Sequence, residues 1–209
     1  MLKLFYAPST CALATHIALI EAGADYELVR LSFAAEDQRK PEYLAINPKA
    51  RVPALVTEAG VLTETPALLA YVAQRFPAAG LAPFDDAFAF AFARVQAFNS
   101  YLCATLHVAH SHRMRGYRWA DEPEAIAAMQ RKVPDSVGQC FAVVERELAG
   151  PWVMGDRYTI CDPYLFTLAQ WMEADGVDTG RFPNVVAHRA RCAARPAVQR
   201  ALAEESGAA

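Results

Sequence analysis

Hydrophobic positions in the first third of the chain come in short runs separated by turn residues. Leu2–Tyr6 is a compact apolar run closed by Pro8, the pattern of a buried strand. Leu13, Ile17 and Ile20 then recur at helical spacing and predict a helix from Thr10 to Ala22, with Gly23 placed where a left-handed C-terminal cap belongs. Tyr26–Leu31 is a second strand candidate, and a short helical piece over Pro41–Ile46 ends at Asn47-Pro48. Pro53–Val56 and Val61–Thr63 flank the turn Glu58-Ala59-Gly60 and predict a hairpin. Thr65 offers a hydroxyl cap, Pro66 suits a first helical position, and the next helix runs to Phe76 before Pro77. The predicted order is β-α-β-α-β-β-α.

Past Pro77-Ala78-Ala79-Gly80 the strand pattern stops and only helices are predicted: Ala87–Met114, Glu124–Leu148, one following Asp162, and others from near Asn184 and Pro196. The expected division is a small α/β domain over 1–78, a linker over 79–86 and an all-α domain over 87–209.

Composition narrows the function classes. A hydrophobic share of 54% against 21% charged supplies a real core. Lys+Arg at 20 and Asp+Glu at 23 leave a formal −3, without the basic excess of a nucleic-acid binder. No uncharged apolar stretch reaches the roughly 18 residues of a membrane span. Five cysteines cannot all pair, which points to a reducing compartment. The opening Met-Leu-Lys-Leu-Phe-Tyr runs into a strand pattern unlike a signal peptide, so the expected location is cytoplasmic.

Three stretches could carry chemistry. Cys11 falls in the first turn of the first helix, after a strand, where unpaired N–H groups and the positive dipole end favour a nucleophilic thiolate. Residue 14 is Ala, which removes dithiol chemistry and leaves monothiol chemistry open. Arg51-Val52-Pro53 precedes a strand, where a cis bond could expose the Val52 backbone to an extended peptide. Glu64-Thr65-Pro66 combines a helix N-terminus for a carboxylate with an acidic side chain for an ammonium group, a pairing that suits an amino-acid head group. Each also has a plain reading: a small buried residue, a turn proline, a simple cap.

Together these stretches resemble the glutathione-binding domain of the glutathione transferases. Leu44-Ala-Ile-Asn-Pro-Lys-Ala-Arg-Val-Pro-Ala-Leu55 is similar to that family's best-marked segment, and Gly155-Asp-Arg-Tyr-Thr-Ile-Cys-Asp162 resembles its folding motif. In the latter, Thr159 and Asp162 form a capping box, which makes Asp162 structural. The resemblance implies a thioredoxin-like first domain and an all-helical second domain. It also implies glutathione as co-substrate, no metal, an electrophilic apolar acceptor lodged along Tyr101–Trp119, and a homodimer. Its γ-glutamyl end would sit at Glu64 and Thr65, its cysteinyl backbone at Val52 and Pro53, and its sulfur near Cys11.

Cys11 together with His107 is similar to the bacterial beta class. Ser9 and then Tyr6 follow Cys11 as candidates for the group on the sulfur. Four positions depart from that class: Ser100 where it has asparagine, with Asn99 one place off register; Thr65 for serine; Arg51 for glutamine; and Ala34 for a lysine. The rival readings are a glutaredoxin-like monothiol reductase acting through Cys11, a dehalogenase or isomerase using glutathione as cofactor, and a non-catalytic relative of the same fold.

Other patterns are read as structure. His107, His110 and His112 do not share one helical face, which argues against a metal cluster. Phe84, Phe88, Phe92, Phe98 and Tyr101 form a core or interface stripe. Arg113, Arg115 and Arg118 read as a solvated helix end or as the rim of a pocket for anionic substrates. Cys140, Cys161 and Cys192 are expected to be buried and small.

Overall fold

A computed structural model describes residues 1–83 and 88–207. Strand β1 (Leu2–Tyr6) pairs parallel with β2 (Tyr26–Arg30) and antiparallel with β3 (Ala54–Thr57), and β3 pairs antiparallel with β4 (Gly60–Thr63). The sheet order is β2-β1-β3-β4. A parallel pair needs a crossover, supplied here by α1 (Ala12–Glu21). Gly23, at φ 62°, ends that helix: the Ala24 N–H reaches the Leu19 carbonyl at 3.0 Å, and the Gly23 N–H reaches Ile20. Helices α2 (Pro41–Leu44) and α3 (Thr65–Arg75) complete the thioredoxin-like βαβαββα unit.

The helical half contains α4 (Phe88–Tyr101), a wide turn over Leu102–Leu106, α5 (His107–Arg115), α6 (Pro123–Glu147), α7 (Cys161–Ala169), α8 (Pro183–Ala193) and α9 (Pro196–Ser206). The expected helix Ala87–Met114 is one path of α4, wide turn and α5. Its first residue, residues 84–86 of the expected linker and Phe84 of the aromatic stripe lie outside the described residues.

Helix α1 is buried from Ala12 to Leu19 because both sides are covered. Ala14 and Ala18 join the large core with Leu4 and Leu69, while Leu13 and Ile17 pack with Phe166, Cys192 and Val198 from the helical half. Polar ties reinforce that seam. Arg195 donates to both oxygens of Glu21 at 2.6 and 2.9 Å, and buried His16 lies 2.8 Å from Glu204.

The Asp162 carboxylate is buried and fully used. It accepts from the Thr159 N–H at 2.6 Å and the Val153 N–H at 2.9 Å, and meets His188 Nε2 at 2.9 Å. The predicted capping box is therefore one part of a knot that also holds α8. Phe98 is buried, and Phe92 and Tyr101 pack against the same core. Cys161 and Cys192 are buried as expected, but Cys140 is only half-buried.

Candidate functional site

A cavity of about 450 Å³ opens between the loops of the α/β half and helices α5 and α7. Ser9, Cys11, Val52, Pro53, Glu64 and Thr65 all line it, although they come from separate loops and helix starts. Backbone geometry aims them. Three non-glycine residues take left-handed φ at this edge: Ser9 at 59°, Ala50 at 53° and Glu64 at 74°. Such conformations persist only where surrounding structure enforces them, and they concentrate at binding sites.

Enforcement is visible at residue 51. The Arg51 carbonyl accepts from the Tyr43 hydroxyl at 2.6 Å and from Asn47 Nδ2 at 2.7 Å, which fixes the loop leading into the cis Val52–Pro53 bond. Glu64, not Thr65, is the residue that enters α3, and Thr65 is its first helical residue. The Thr65 hydroxyl turns toward the Cys11 sulfur, where it favours the ionised thiol.

That help is outweighed. Burial pushes the Cys11 thiol up to about 11, and its Sγ lies 3.6 Å from the Val52 carbonyl oxygen as donor. The rise from 9.0 amounts to about 3 kcal/mol against the thiolate. A helix dipole contributes about 0.3–1 kcal/mol, at most about 2. The expectation of a dipole-stabilised thiolate is thus corrected: Cys11 is a protonated donor at neutral pH.

The facing wall comes from α5, Tyr164 of α7 and the turns that follow α7, with Trp171 and Asp175. His107 lines the cavity, and burial first, then His110 and the nearby arginines, push its imidazole down to about 4. Its ring meets Trp171 at 5.3 Å, and Trp171 in turn meets His110 at 5.3 Å. His110 Nδ1 pairs closely with the Asp175 carboxylate, which Arg113 also approaches at 3.5 Å. Glu64 is held by Lys49 at 2.5 Å.

Other expected site residues stand elsewhere. Tyr6 does not line the cavity. It is buried beside His16, with ring centroids 6.2 Å apart, and the Glu205 carboxylate adds to the burial that raises its hydroxyl. The alternation of strand β1 sends Phe5 to the Tyr43 side and Tyr6 to the opposite one. Ser100 is exposed, whereas Asn99 is fully buried, and neither lines the cavity. The wide turn over Leu102–Leu106 explains this exchange, because it absorbs an extra residue. A seven-residue spacing no longer aligns Ser100 with His107, and Asn99 takes the inward face instead.

The segment Tyr101–Trp119, expected to lodge the acceptor, does line the cavity from Cys103 to Trp119, with Val108, Met114 and Trp119 among its apolar members. Tyr101 instead lines a separate cavity of about 380 Å³ with Arg94 and Met154, and the residues of that segment on the main cavity include His107, His110, Ser111, Arg113, Arg115 and Arg118. The wall is cationic as well as aromatic. Sequence reasoning missed Asn47 and Tyr43, which carry ordinary turn and core signals. It also missed Trp171, Asp175 and Tyr164, whose approach to the cavity comes only from packing.

Comparison with known proteins decides the family. The model of the glutathione S-transferase N-terminal domain matches residues 1–74, and that of the C-terminal domain matches 102–196. The chain belongs to the glutathione S-transferase family. Among members of this transferase family, glutathione S-transferase GstA of Escherichia coli O157:H7 is 32% identical over 98% of both chains. A glutathione transferase homologue from Sulfitobacter, solved with bound glutathione, is 43% identical with a TM-score of 0.93, covering 100% of this chain and 99% of that one. A beta-class transferase of Sphingomonas chungbukensis is 33% identical with a TM-score of 0.84, covering 99% of this chain and 100% of that one. A maleylacetoacetate isomerase of Pseudomonas aeruginosa is 30% identical over 96% of this chain and 95% of its own. The similarity spans both halves of the transferase fold, in line with the expected resemblance to the bacterial beta class.

Proposed function

We propose that this glutathione transferase activates the glutathione thiol through donors on the α/β half and delivers it to an electrophile held against α5. The observation that carries the reading is the convergence of Cys11, Val52 and Glu64-Thr65 on one wall of one cavity. Glu64 and the start of α3 receive the γ-glutamyl ammonium and carboxylate. The Val52 backbone pairs with the cysteinyl unit as an added strand. With glutathione bound, the Cys11 thiol turns from the Val52 carbonyl and, with the Ser9 hydroxyl, donates to the ionised glutathione sulfur, which lowers its pKa.

A protonated Cys11 is a donor rather than a nucleophile. That favours conjugation over a glutaredoxin-like reduction, which needs the Cys11 thiolate. The division expected from the sequence assigns the tripeptide to 1–78 and the acceptor wall to 87–209. Phe90 of α4, 75% exposed, supports a homodimer in which a second copy covers it, and the free cysteines suit a reducing cytoplasm.

Titration calorimetry with millimolar glutathione, paired with turnover of a chlorodinitrobenzene acceptor, tests the reading. Heat of binding together with conjugation supports it. Disulfide reduction abolished by Cys11→Ala, without conjugation, replaces it with the reductase. Light scattering on the eluted protein reads the dimer.

A further inference from the structure

Resting on that reading, we infer that the acceptor site is built for an electrophile carrying a carboxylate, received by Arg115 at the end of α5 and Arg118 in the turn after it, together with Arg51. The cavity holds an unbalanced set of charges. Its carboxylates, Glu64 and Asp175, are already matched, the first by Lys49 and the second by His110 and Arg113. Arg51, Arg115 and Arg118 line the same space, and among the described residues no carboxylate comes within ion-pair distance of them.

These cations share one field. Arg115 and Arg51 both press the Arg118 guanidinium below its ordinary range, after burial, and all of them depress His107. Like charges gathered in one cavity without a carboxylate to balance them are complementary to an anion, and a guanidinium presents the planar fork that matches a carboxylate. Arg115 is also steadied by the Phe33 ring, 5.7 Å from its guanidinium carbon.

Glutathione cannot be the sole answer. With its γ-glutamyl end at Glu64 and Thr65, the tripeptide brings only its glycyl carboxylate to the opposite end, one charge for three guanidinium groups. Trp119, Met114 and Trp171 line the space beside them, so the complementary acceptor is an aromatic or otherwise apolar body with an anionic end.

Two glutathione conjugates that differ only in this charge test the inference: S-(4-carboxy-2-nitrophenyl)glutathione and its methyl ester, titrated calorimetrically beside glutathione itself. The acid is expected to bind at least tenfold more tightly than the ester, with the ratio shrinking as salt is raised. Arg115→Gln combined with Arg118→Gln is expected to bring the ratio below about twofold while leaving ester affinity nearly unchanged, and Arg115→Lys is expected to retain part of it. Equal affinities in the parent protein overturn the inference while the glutathione reading stands. So does a double variant that weakens glutathione, ester and acid alike, because the arginines then serve the peptide's glycyl end. Binding of none of the three overturns the glutathione reading and this inference with it.

Discussion

The Cys11 sulfur lies 3.6 Å from the Val52 carbonyl oxygen and donates its proton there, joining the start of α1 to the loop that precedes β3. Burial at this contact, not the contact itself, holds the residue the sequence marks most strongly in its protonated form. An S–H held on a carbonyl and buried stays an S–H at neutral pH.

Alkylation of Cys11 by iodoacetamide, followed by peptide mass spectrometry, should therefore be slow at pH 7 and rise with an inflection near 11. An inflection near 8 would show a stabilised thiolate. The same shift bears on stability. As pH rises above 9 the unfolded chain releases this proton and the native state holds it, so Cys11 weakens the fold between pH 9 and 11.

His107 is neutral in the native state down to about pH 4, against 6.5 for the unfolded chain. Its contribution is fully present above pH 6.5 and is lost as pH falls toward 4, since only the unfolded chain gains the proton. The limit is about 3 kcal/mol, reduced because the ring keeps some contact with water. Urea midpoints measured from pH 7 to 4.5 should fall less steeply in His107→Gln than in the parent.

Asp162→Ala should cost about 3–5 kcal/mol, because it strips acceptors from the Thr159 and Val153 N–H groups and the partner from His188. The measurement is the chemical unfolding midpoint. A loss below about 1 kcal/mol would contradict the buried knot.

Tyr6→Phe should leave kcat/KM for conjugation within about twofold of the parent, since the hydroxyl lies outside the cavity. Ser9→Ala is expected to lower it by about tenfold through loss of a donor to the sulfur. Steady-state rates with glutathione varied at fixed acceptor separate the two.

The chain's own pattern determined a good deal. Short apolar runs and helical spacings, the Gly23 cap, the hairpin turn and the Thr159–Asp162 box are local chemistry, and each element they imply stands within a few residues of its expected place. The segments that build the glutathione wall were legible for the same reason: Cys11, Val52-Pro53 and Glu64-Thr65 are strand ends and helix starts, whose exposed backbone groups are read directly from turn residues. What the sequence could not decide was which way each side chain finally faces. Strand alternation with a buried His16 took Tyr6 out of the site, a wide turn exchanged Ser100 for Asn99, and desolvation overruled the helix dipole at Cys11. The unmatched cations of the acceptor wall belong to that second class. Arg51 and Arg115 are far apart along the chain, and only packing, which brings distant charges onto one shared cavity, sets what they jointly attract.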